Sequence, residues 1–290
     1  MSLLHPRLAH TLVSRVALTV LAAGLCLAAT SVQAQTSKTY EPSYGQAGKD
    51  VIWVPTQPPT VERMLRMAQV TARDTVVDLG SGDGRIAIAA VKDFGARAFG
   101  FEYNPDMVEY SKREAEKAGV GSKVEFRKAD IFETDFTYAD VITMYLLPHL
   151  NVKLRPILLN MKPGTRVVSH QFDMAEWKPD EVSDANGRRI NFWLVPAKAE
   201  GDWKMTFPGR DYTLTLRQEF QMISGWISRG EGQMGLRDAV LTGNAIRFSL
   251  VDEQSKLLAF TGRIEGDRIS GTFTTEDGKR ENFSAMKAPK

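Results

Sequence analysis

The residues whose types and spacing most clearly suggest chemistry are those from Asp78 to Gly84, which read Asp-Leu-Gly-Ser-Gly-Asp-Gly. Three glycines at alternate positions, between an apolar strand pattern and a helix start, let backbone N–H groups come close to a bound ligand. Dinucleotide-binding loops prefer Gly-x-Gly-x-x-Gly, but here the third glycine comes one position early and an acid precedes the first. The pattern favours a nucleotide-like cofactor, and a tight turn without a ligand is the simpler alternative.

This variant of the loop resembles motif I of the class I S-adenosylmethionine-dependent methyltransferases. In that family the acid can meet the ammonium group of the methionine moiety, whereas it would repel a pyrophosphate. Glu102 ends the next predicted strand, about 20 residues after the loop, where an acid hydrogen-bonds ribose hydroxyls. Asp130 matches the acid that lies near the adenine amino group. The resemblance implies S-adenosyl-L-methionine as the cofactor.

Segments on both sides of the loop resemble a narrower group, the lysine methyltransferases of the ATP synthase c-subunit and the adenine nucleotide translocase. These segments are Val54-Pro55-Thr56 with Val61 to Leu65, and Met144 to Leu150 with Lys153-Leu154. The similarity spans roughly Val51 to Pro179. It implies that Thr56 holds the cofactor carboxylate. The complete set of predicted cofactor contacts is Thr56, Asp78, Gly80, Ser81, Gly82, Asp83, Gly84, Glu102 and Asp130.

The acceptor pocket is predicted from the same resemblance and from the chemistry of methyl transfer. The reaction is an in-line displacement on a sulfonium and depends mainly on alignment. A lysine amine must be neutral to react, and a closed, partly apolar pocket favours the neutral form. Tyr145 and Trp53 are predicted to wall this pocket, with plain core roles as the alternative. Tyr145 and His149 are the candidate catalytic residues, and His170 is interpreted as a structural histidine.

The elements that must position these residues alternate strand and helix from about Val51 to Ala197, which favours a mainly parallel sheet covered by helices. Asn186-Gly187 is a strong hairpin signal. The predicted fold class is therefore α/β, a Rossmann-like class I methyltransferase domain at residues 51–198 whose sheet ends in an antiparallel hairpin. Predicted strands cover Thr75–Asp78, Arg97–Tyr103, Val124–Arg127, Ala139–Met144 and Arg166–His170, and predicted helices cover Val61–Val70, Arg85–Phe94 and Val152–Met161.

After Pro196 the pattern changes to short alternating runs between Trp203 and Lys287. The runs that read as strands are Tyr212–Phe220, Ile223–Ser228, Ala245–Val251, Leu257–Ile264, Ile269–Thr275 and Asn282–Met286. Several short strands separated by turns such as Gly266-Asp267 and Asp277-Gly278 are typical of all-β folds. The runs predict a second domain at residues 203–290, a small barrel or sandwich that helps to recognise the target. A β extension packed on the first domain is the alternative.

The N-terminus differs from the rest of the chain. Arg7 and Arg15 precede an apolar run from Val16 to Val32, and Val32-Gln33-Ala34 follows. This is typical of a secretory signal peptide at residues 1–34 and predicts a periplasmic or otherwise exported protein. An uncleaved membrane anchor, which would be the one membrane contact, and a transit peptide are the alternatives. Residues 35–50 are polar and are predicted to be a linker.

Cleavage after Ala34 would remove Cys26, which is the one cysteine, and two arginines. The remaining 35 basic and 35 acidic residues lack the basic excess of a nucleic-acid binder. Without cysteine and with two histidines left, no metal cluster is predicted. The leading hypothesis is an S-adenosylmethionine-dependent protein-lysine N-methyltransferase, with a small-molecule acceptor as the runner-up. An exported, catalytically silent fold that acts as a binding protein is a third hypothesis, since the cofactor is made in the cytosol.

Overall fold

The computed structural model describes residues 40–207 and 210–289. The predicted signal peptide, Cys26 and the first residues of the predicted linker lie outside the described residues. The chain from Tyr40 to Lys290 forms one compact unit, so the boundary predicted between residues 198 and 203 lies inside that unit and stays a prediction. Within the described ranges, the helices are too short or too polar to cross a membrane.

A seven-stranded sheet forms the first half of this unit. Its strands are β1 Thr75–Leu79, β2 Arg97–Glu102, β3 Val124–Lys128, β4 Val141–Met144, β5 Arg166–His170, β6 Glu181–Ala185 and β7 Arg188–Leu194. The spatial order is β3-β2-β1-β4-β5-β7-β6. The first five strands are parallel, and β7 runs antiparallel to both β5 and β6. The predicted mainly parallel sheet with a terminal antiparallel hairpin is confirmed.

Helices connect these strands and cover the sheet. They are α1 Pro58–Met67, α2 Arg85–Phe94, α3 Pro105–Lys117 and α4 Pro148–Leu158. Both α1 and α4 begin earlier than predicted, because proline fits the first turn, where its missing N–H costs nothing. The side chain of Asn104 caps α3 by accepting a hydrogen bond from Asp106 N at 2.9 Å. These starts place the N-termini of α2, α3 and α4 at one edge of the sheet.

Asp74 and Arg166 tie the opposite edge of the sheet together. Asp74 precedes β1 and accepts hydrogen bonds from Thr71 N at 2.6 Å and from the guanidinium of Arg166 at the start of β5. Burial by itself raises the pKa of Asp74, but the hydrogen bonds from Arg166 and Thr71 outweigh it and leave the pKa below its usual range. The ionised carboxylate therefore stabilises the fold above pH 4, and this contribution is lost as the pH falls through the lowered pKa.

Replacing Asp74 with asparagine is expected to reduce the free energy of unfolding by about 2 kcal/mol at pH 7, because a mostly buried guanidinium loses its partner. The deficit should shrink as the pH falls below 4 through the lowered pKa of Asp74, because the wild-type carboxylate then becomes protonated as well. Urea denaturation at pH 7 and at a series of lower pH values measures this difference. Asp93→Asn is the control, since Asp93 is exposed on α2 and has no ion-pair partner in residues 40–207 and 210–289. Equal unfolding midpoints for wild type and Asp74→Asn at pH 7 would contradict the prediction.

The second half of the unit is a single nine-stranded antiparallel sheet. Its strands are β8 Gly201–Thr206, β9 Asp211–Glu219, β10 Met222–Arg229, β11 Gly232–Gly235, β12 Arg237–Thr242, β13 Ala245–Val251, β14 Leu257–Glu265, β15 Arg268–Thr275 and β16 Arg280–Lys287. The two edge strands come back toward each other, with β12 beside β10 and Leu236 N donating to Gly225 O at 3.0 Å. The sheet is therefore a nearly closed barrel rather than a two-layer sandwich.

The barrel has its own core and also packs on the first sheet. Aromatic side chains fill its interior: Phe207, Phe248, Phe260, Phe273 and Phe283. At the β9–β10 turn, Phe220 stacks on Trp177 with ring centroids 6.3 Å apart, and the Arg155 guanidinium of α4 lies over the same ring. The barrel thus contacts the helix that begins at the cavity described next.

Candidate functional site

A cavity of about 270 Å³ opens at the carboxyl ends of the parallel strands. It lies beside the boundary between β1 and β4, where the strand order reverses and where α/β sheets usually bind ligands. Eight of the nine predicted cofactor contacts line the cavity, as does Tyr145. Gly84 and His149 do not.

The glycine loop lies so close to neighbouring aromatic side chains that a residue with a Cβ atom would collide with them at two positions. Gly82 has φ +53°, and a Cβ atom there would lie 2.6 Å from Nε1 of Trp53. Its N–H donates to Oε2 of Glu102 at 3.0 Å. Gly84 has φ +80°, and a Cβ atom there would lie 2.5 Å from the ring of Phe126. Gly84 therefore permits close packing at the start of α2 and does not line the cavity, and its predicted contact with the cofactor stays a prediction.

Asp78 supplies a buried carboxylate at the end of β1. Oγ1 of Thr143, its register neighbour on β4, donates to Oδ1 at 2.6 Å. Burial raises the pKa of Asp78 to about 7; the Thr143 hydrogen bond opposes this, and the charges of Asp83 and Glu102 add to it. A ligand ammonium group would compensate the charge that burial penalises. The predicted cofactor carries such a group in its methionine moiety, so Asp78 fits it.

Two further acids lie where the cofactor's adenosine part is predicted. Glu102 ends β2, and its Oε1 accepts a hydrogen bond from Asn104 N at 2.9 Å. Asp130 follows β3, with Oδ2 2.5 Å from Nζ of Lys49 and Oδ1 3.0 Å from Phe132 N. The hydrogen bond from Lys49 holds the pKa of Asp130 below its usual range, and the Phe132 N–H adds to this. Among the described residues, no group of three or more His, Cys, Asp or Glu side chains is arranged to hold a metal.

The segment before α1 folds over the cavity. Residues 46–56 line it, and Trp53 N donates to Gln46 O at 2.9 Å. The part of the predicted linker from Gln46 to Asp50 is therefore cavity wall rather than a free connection. Pairing of Lys49 with Asp130 was not predicted, since the two residues are 81 positions apart.

Arg85 connects this segment to the glycine loop. Its Nη1 donates to Thr56 O at 2.9 Å, and its Nη2 lies 2.6 Å from Oδ2 of Asp83. Arg85 was not among the predicted site residues; its position two residues after an acid at a helix start was the available signal. The two bonds hold Thr56 and Asp83 at neighbouring places on the cavity wall.

The other end of the cavity is aromatic and apolar. Tyr145 follows β4, and its ring lies 3.9 Å from that of His170 and 6.3 Å from that of Phe172, centroid to centroid. Burial raises the pKa of Tyr145, so its phenol stays neutral at physiological pH. Leu146 and Leu147 continue the same wall.

The two histidines occupy different environments. His149 is exposed in the first turn of α4 and does not line the cavity, and its catalytic role stays a prediction. Pro148 starts the helix; it and His149 lie outside the cavity lining, whereas Leu147 before them and Leu150 after them belong to it. His170 is buried behind Tyr145, and burial lowers its pKa to about 4, with the charge of Arg188 adding to the shift. This position agrees with the structural interpretation of His170.

Comparison with known proteins places the first sheet in a family. The family described as the ANTKMT methyltransferase domain matches residues 78–181. A protein-lysine N-methyltransferase of Saccharolobus islandicus is 43% identical over 143 residues, covering 49% of this chain and 89% of the relative. The ATP synthase c-subunit lysine N-methyltransferase of Mus musculus is 37% identical over 135 residues, covering 45% of this chain and 53% of the relative. The chain thus spans about half the length of the mouse relative.

A solved structure is also similar. The RNA methyltransferase of Salinibacter ruber in complex with S-adenosyl-L-homocysteine is 50% identical, covering 50% of this chain and 95% of that chain, with a TM-score of 0.49. The match to nearly the whole archaeal relative confirms the resemblance and the cofactor predicted from the glycine loop. The chain belongs to the S-adenosylmethionine-dependent methyltransferases, in the family of the ATP synthase c-subunit and adenine nucleotide translocase lysine methyltransferases.

Proposed function

We propose that this enzyme is a protein-lysine N-methyltransferase. The observation that carries the proposal is the uncharged wall at the acceptor end of the cavity, formed by Tyr145, Leu146, Leu147 and Phe172. A lysine side chain has four methylene groups before its amine, so most of the side chain can pack against such a wall.

The wall suits the chemical requirement of the reaction. S-adenosylmethionine supplies a methyl group on a positively charged sulfur, and the acceptor amine must meet it in line. A free lysine amine has a pKa near 10.4 and is protonated at neutral pH, but an apolar pocket disfavours the charged form. The neutral phenol of Tyr145 can accept a hydrogen bond from the amine and so orient its lone pair toward the methyl group.

The exit of β4 argues against planar acceptors. Enzymes that methylate adenine or glutamine nitrogens carry Asn/Asp-Pro-Pro-Tyr at this place, where it grips an amide-like group. Here the chain reads Tyr145-Leu146-Leu147-Pro148, which offers no such clamp. The names of the archaeal and mouse relatives support lysine, while the name of the Salinibacter ruber protein makes RNA the competing acceptor.

The test is methyl transfer from S-[methyl-³H]adenosylmethionine, catalysed by the full chain, into a crude cell extract divided into portions. One portion is acetylated to block lysine amines, one is treated with ribonuclease, and one is passed through an ultrafilter that retains macromolecules. We expect label in retained protein, absent from the acetylated portion and recovered after hydrolysis as methyl-lysine. The Gly82→Ala variant serves as the inactive control.

Each alternative has its own outcome. Label that ribonuclease removes would overturn lysine in favour of RNA, and label that passes the filter would favour a small-molecule acceptor. Intact cofactor binding without any transfer would favour the silent binding protein.

A further inference from the structure

His170 is a buried polar residue that lies behind the wall of the cavity. It ends β5 with 3% of its surface exposed and does not line the cavity. Its Nδ1 lies 3.1 Å from Oγ1 of Thr56, 114 positions earlier in the chain. Its Nε2 is buried and has no hydrogen-bond partner in the part of the chain that the structure describes. These contacts determine which nitrogen carries the proton.

A neutral imidazole has one N–H donor and one acceptor nitrogen. The pKa of His170, lowered to about 4 by burial, keeps the ring neutral under physiological conditions. A proton on Nε2 would be a buried donor without an acceptor, which is rare and costly. A proton on Nδ1 finds Oγ1 of Thr56 as its acceptor, so Nδ1–H is the favoured tautomer. The hydroxyl proton of Thr56 is then free to be donated elsewhere.

Thr56 is held so that this hydroxyl can serve the cavity. Arg85 fixes its backbone oxygen at 2.9 Å, and His170 fixes its side chain. Thr56 lines the end of the cavity away from Asp130, where the amino-acid part of the cofactor must lie if Asp130 is beside the adenine. The anionic group of that part is its carboxylate, which accepts hydrogen bonds strongly.

We infer that His170 is a positioning residue whose Nδ1–H turns the Thr56 hydroxyl toward the cofactor carboxylate. The inference concerns cofactor binding and does not depend on the acceptor, so it can fail while the proposed lysine methylation holds.

The test compares two ligands by calorimetric titration of the full chain. S-adenosylhomocysteine carries the carboxylate, while 5′-methylthioadenosine has the same nucleoside and sulfur without the amino-acid part. Thr56→Val and His170→Phe are each expected to weaken S-adenosylhomocysteine about tenfold, the effect of one charge-assisted hydrogen bond. Neither should change the affinity for 5′-methylthioadenosine. The double variant should bind S-adenosylhomocysteine no more weakly than Thr56→Val alone, because both changes remove the same interaction.

Two conservative variants give the matched control. The amide nitrogen of His170→Asn reaches the place of Nδ1 and should retain most of the affinity for S-adenosylhomocysteine, whereas that of His170→Gln reaches the place of Nε2 and should not. This pair also decides the matter if His170→Phe does not fold. Equal weakening of both ligands, additive effects in the double variant, or equal affinity of the Asn and Gln variants would each overturn the inference.

Discussion

Replacing Asp78 with asparagine is expected to stabilise the ligand-free protein above pH 7. It is also expected to weaken S-adenosylmethionine binding about a hundredfold, because a buried charge-assisted hydrogen bond to the cofactor is lost. The stability gain follows from the sign of the pKa shift. Burial raises the pKa of Asp78 to about 7, whereas an aspartate in an unfolded chain ionises near pH 3.9. Between these values the unfolded chain has released the proton and the folded protein still holds it, so a rising pH destabilises the fold by on the order of 4 kcal/mol in total.

Asparagine keeps an oxygen for the Thr143 hydroxyl and has no proton to lose, so the variant should lack this decline. Thermal unfolding of both proteins from pH 5 to 8.5 measures this loss of stability.

For the wild type, binding of a ligand ammonium requires the ionised carboxylate of Asp78. Affinity for S-adenosylhomocysteine should therefore fall about tenfold per pH unit below pH 7, with proton release on binding. Titrations in buffers of different ionisation enthalpy detect that release.

Asp93→Asn again provides a control, because Asp93 is exposed and is not part of the cavity wall. Wild-type affinity in Asp78→Asn would show that Asp78 does not face the cofactor ammonium, and a variant less stable than the wild type at pH 8 would contradict the raised pKa of Asp78.

Replacing Gly82 with alanine is expected to abolish measurable cofactor binding. Gly82 has φ +53°, and the added Cβ atom would lie 2.6 Å from Nε1 and 2.9 Å from Cδ1 of Trp53. Either Trp53 or the loop must move. A shift of the loop would also displace the N–H of Gly82, which donates a hydrogen bond to Glu102. Calorimetric titration with S-adenosylhomocysteine measures the loss, and a melting curve shows that the variant is folded.

Gly119→Ala is the matched control for backbone strain. Gly119 has φ +72°, and a Cβ atom there would meet no atom within 4 Å. The Gly119→Ala substitution should lower the free energy of unfolding by about 1 kcal/mol, the usual cost of alanine in this backbone conformation, and leave cofactor affinity unchanged. Adding Trp53→Ala to Gly82→Ala should recover part of the binding, since it removes the collision but not the strained backbone. Normal affinity in Gly82→Ala would contradict the close contact between the loop and Trp53.

Local patterns were sufficient for much of the fold. The helix Arg85–Phe94 and the strand Arg166–His170 have the predicted bounds, because glycines flank the helix and the strand is a short apolar run after Pro163-Gly164. In the barrel, β8, β11 and β12 were not predicted as separate strands. The β11 segment Gly232–Gly235 is glycine-rich, and a register shift interrupts β12, so neither shows a regular alternation.

By itself, the sequence determined the cofactor loop and the sheet that presents it. Asp78 to Gly84 and the end of β2 lie within one strand-helix-strand unit, where a short segment encodes its own geometry. Only the tertiary structure decided which distant residues meet, such as Lys49 with Asp130 and Thr56 with His170. It also left His149 outside the cavity wall and assigned Gly84 to packing. Periodicity and turn signals report on neighbours along the chain, whereas a contact between strand ends depends on the path of the whole backbone.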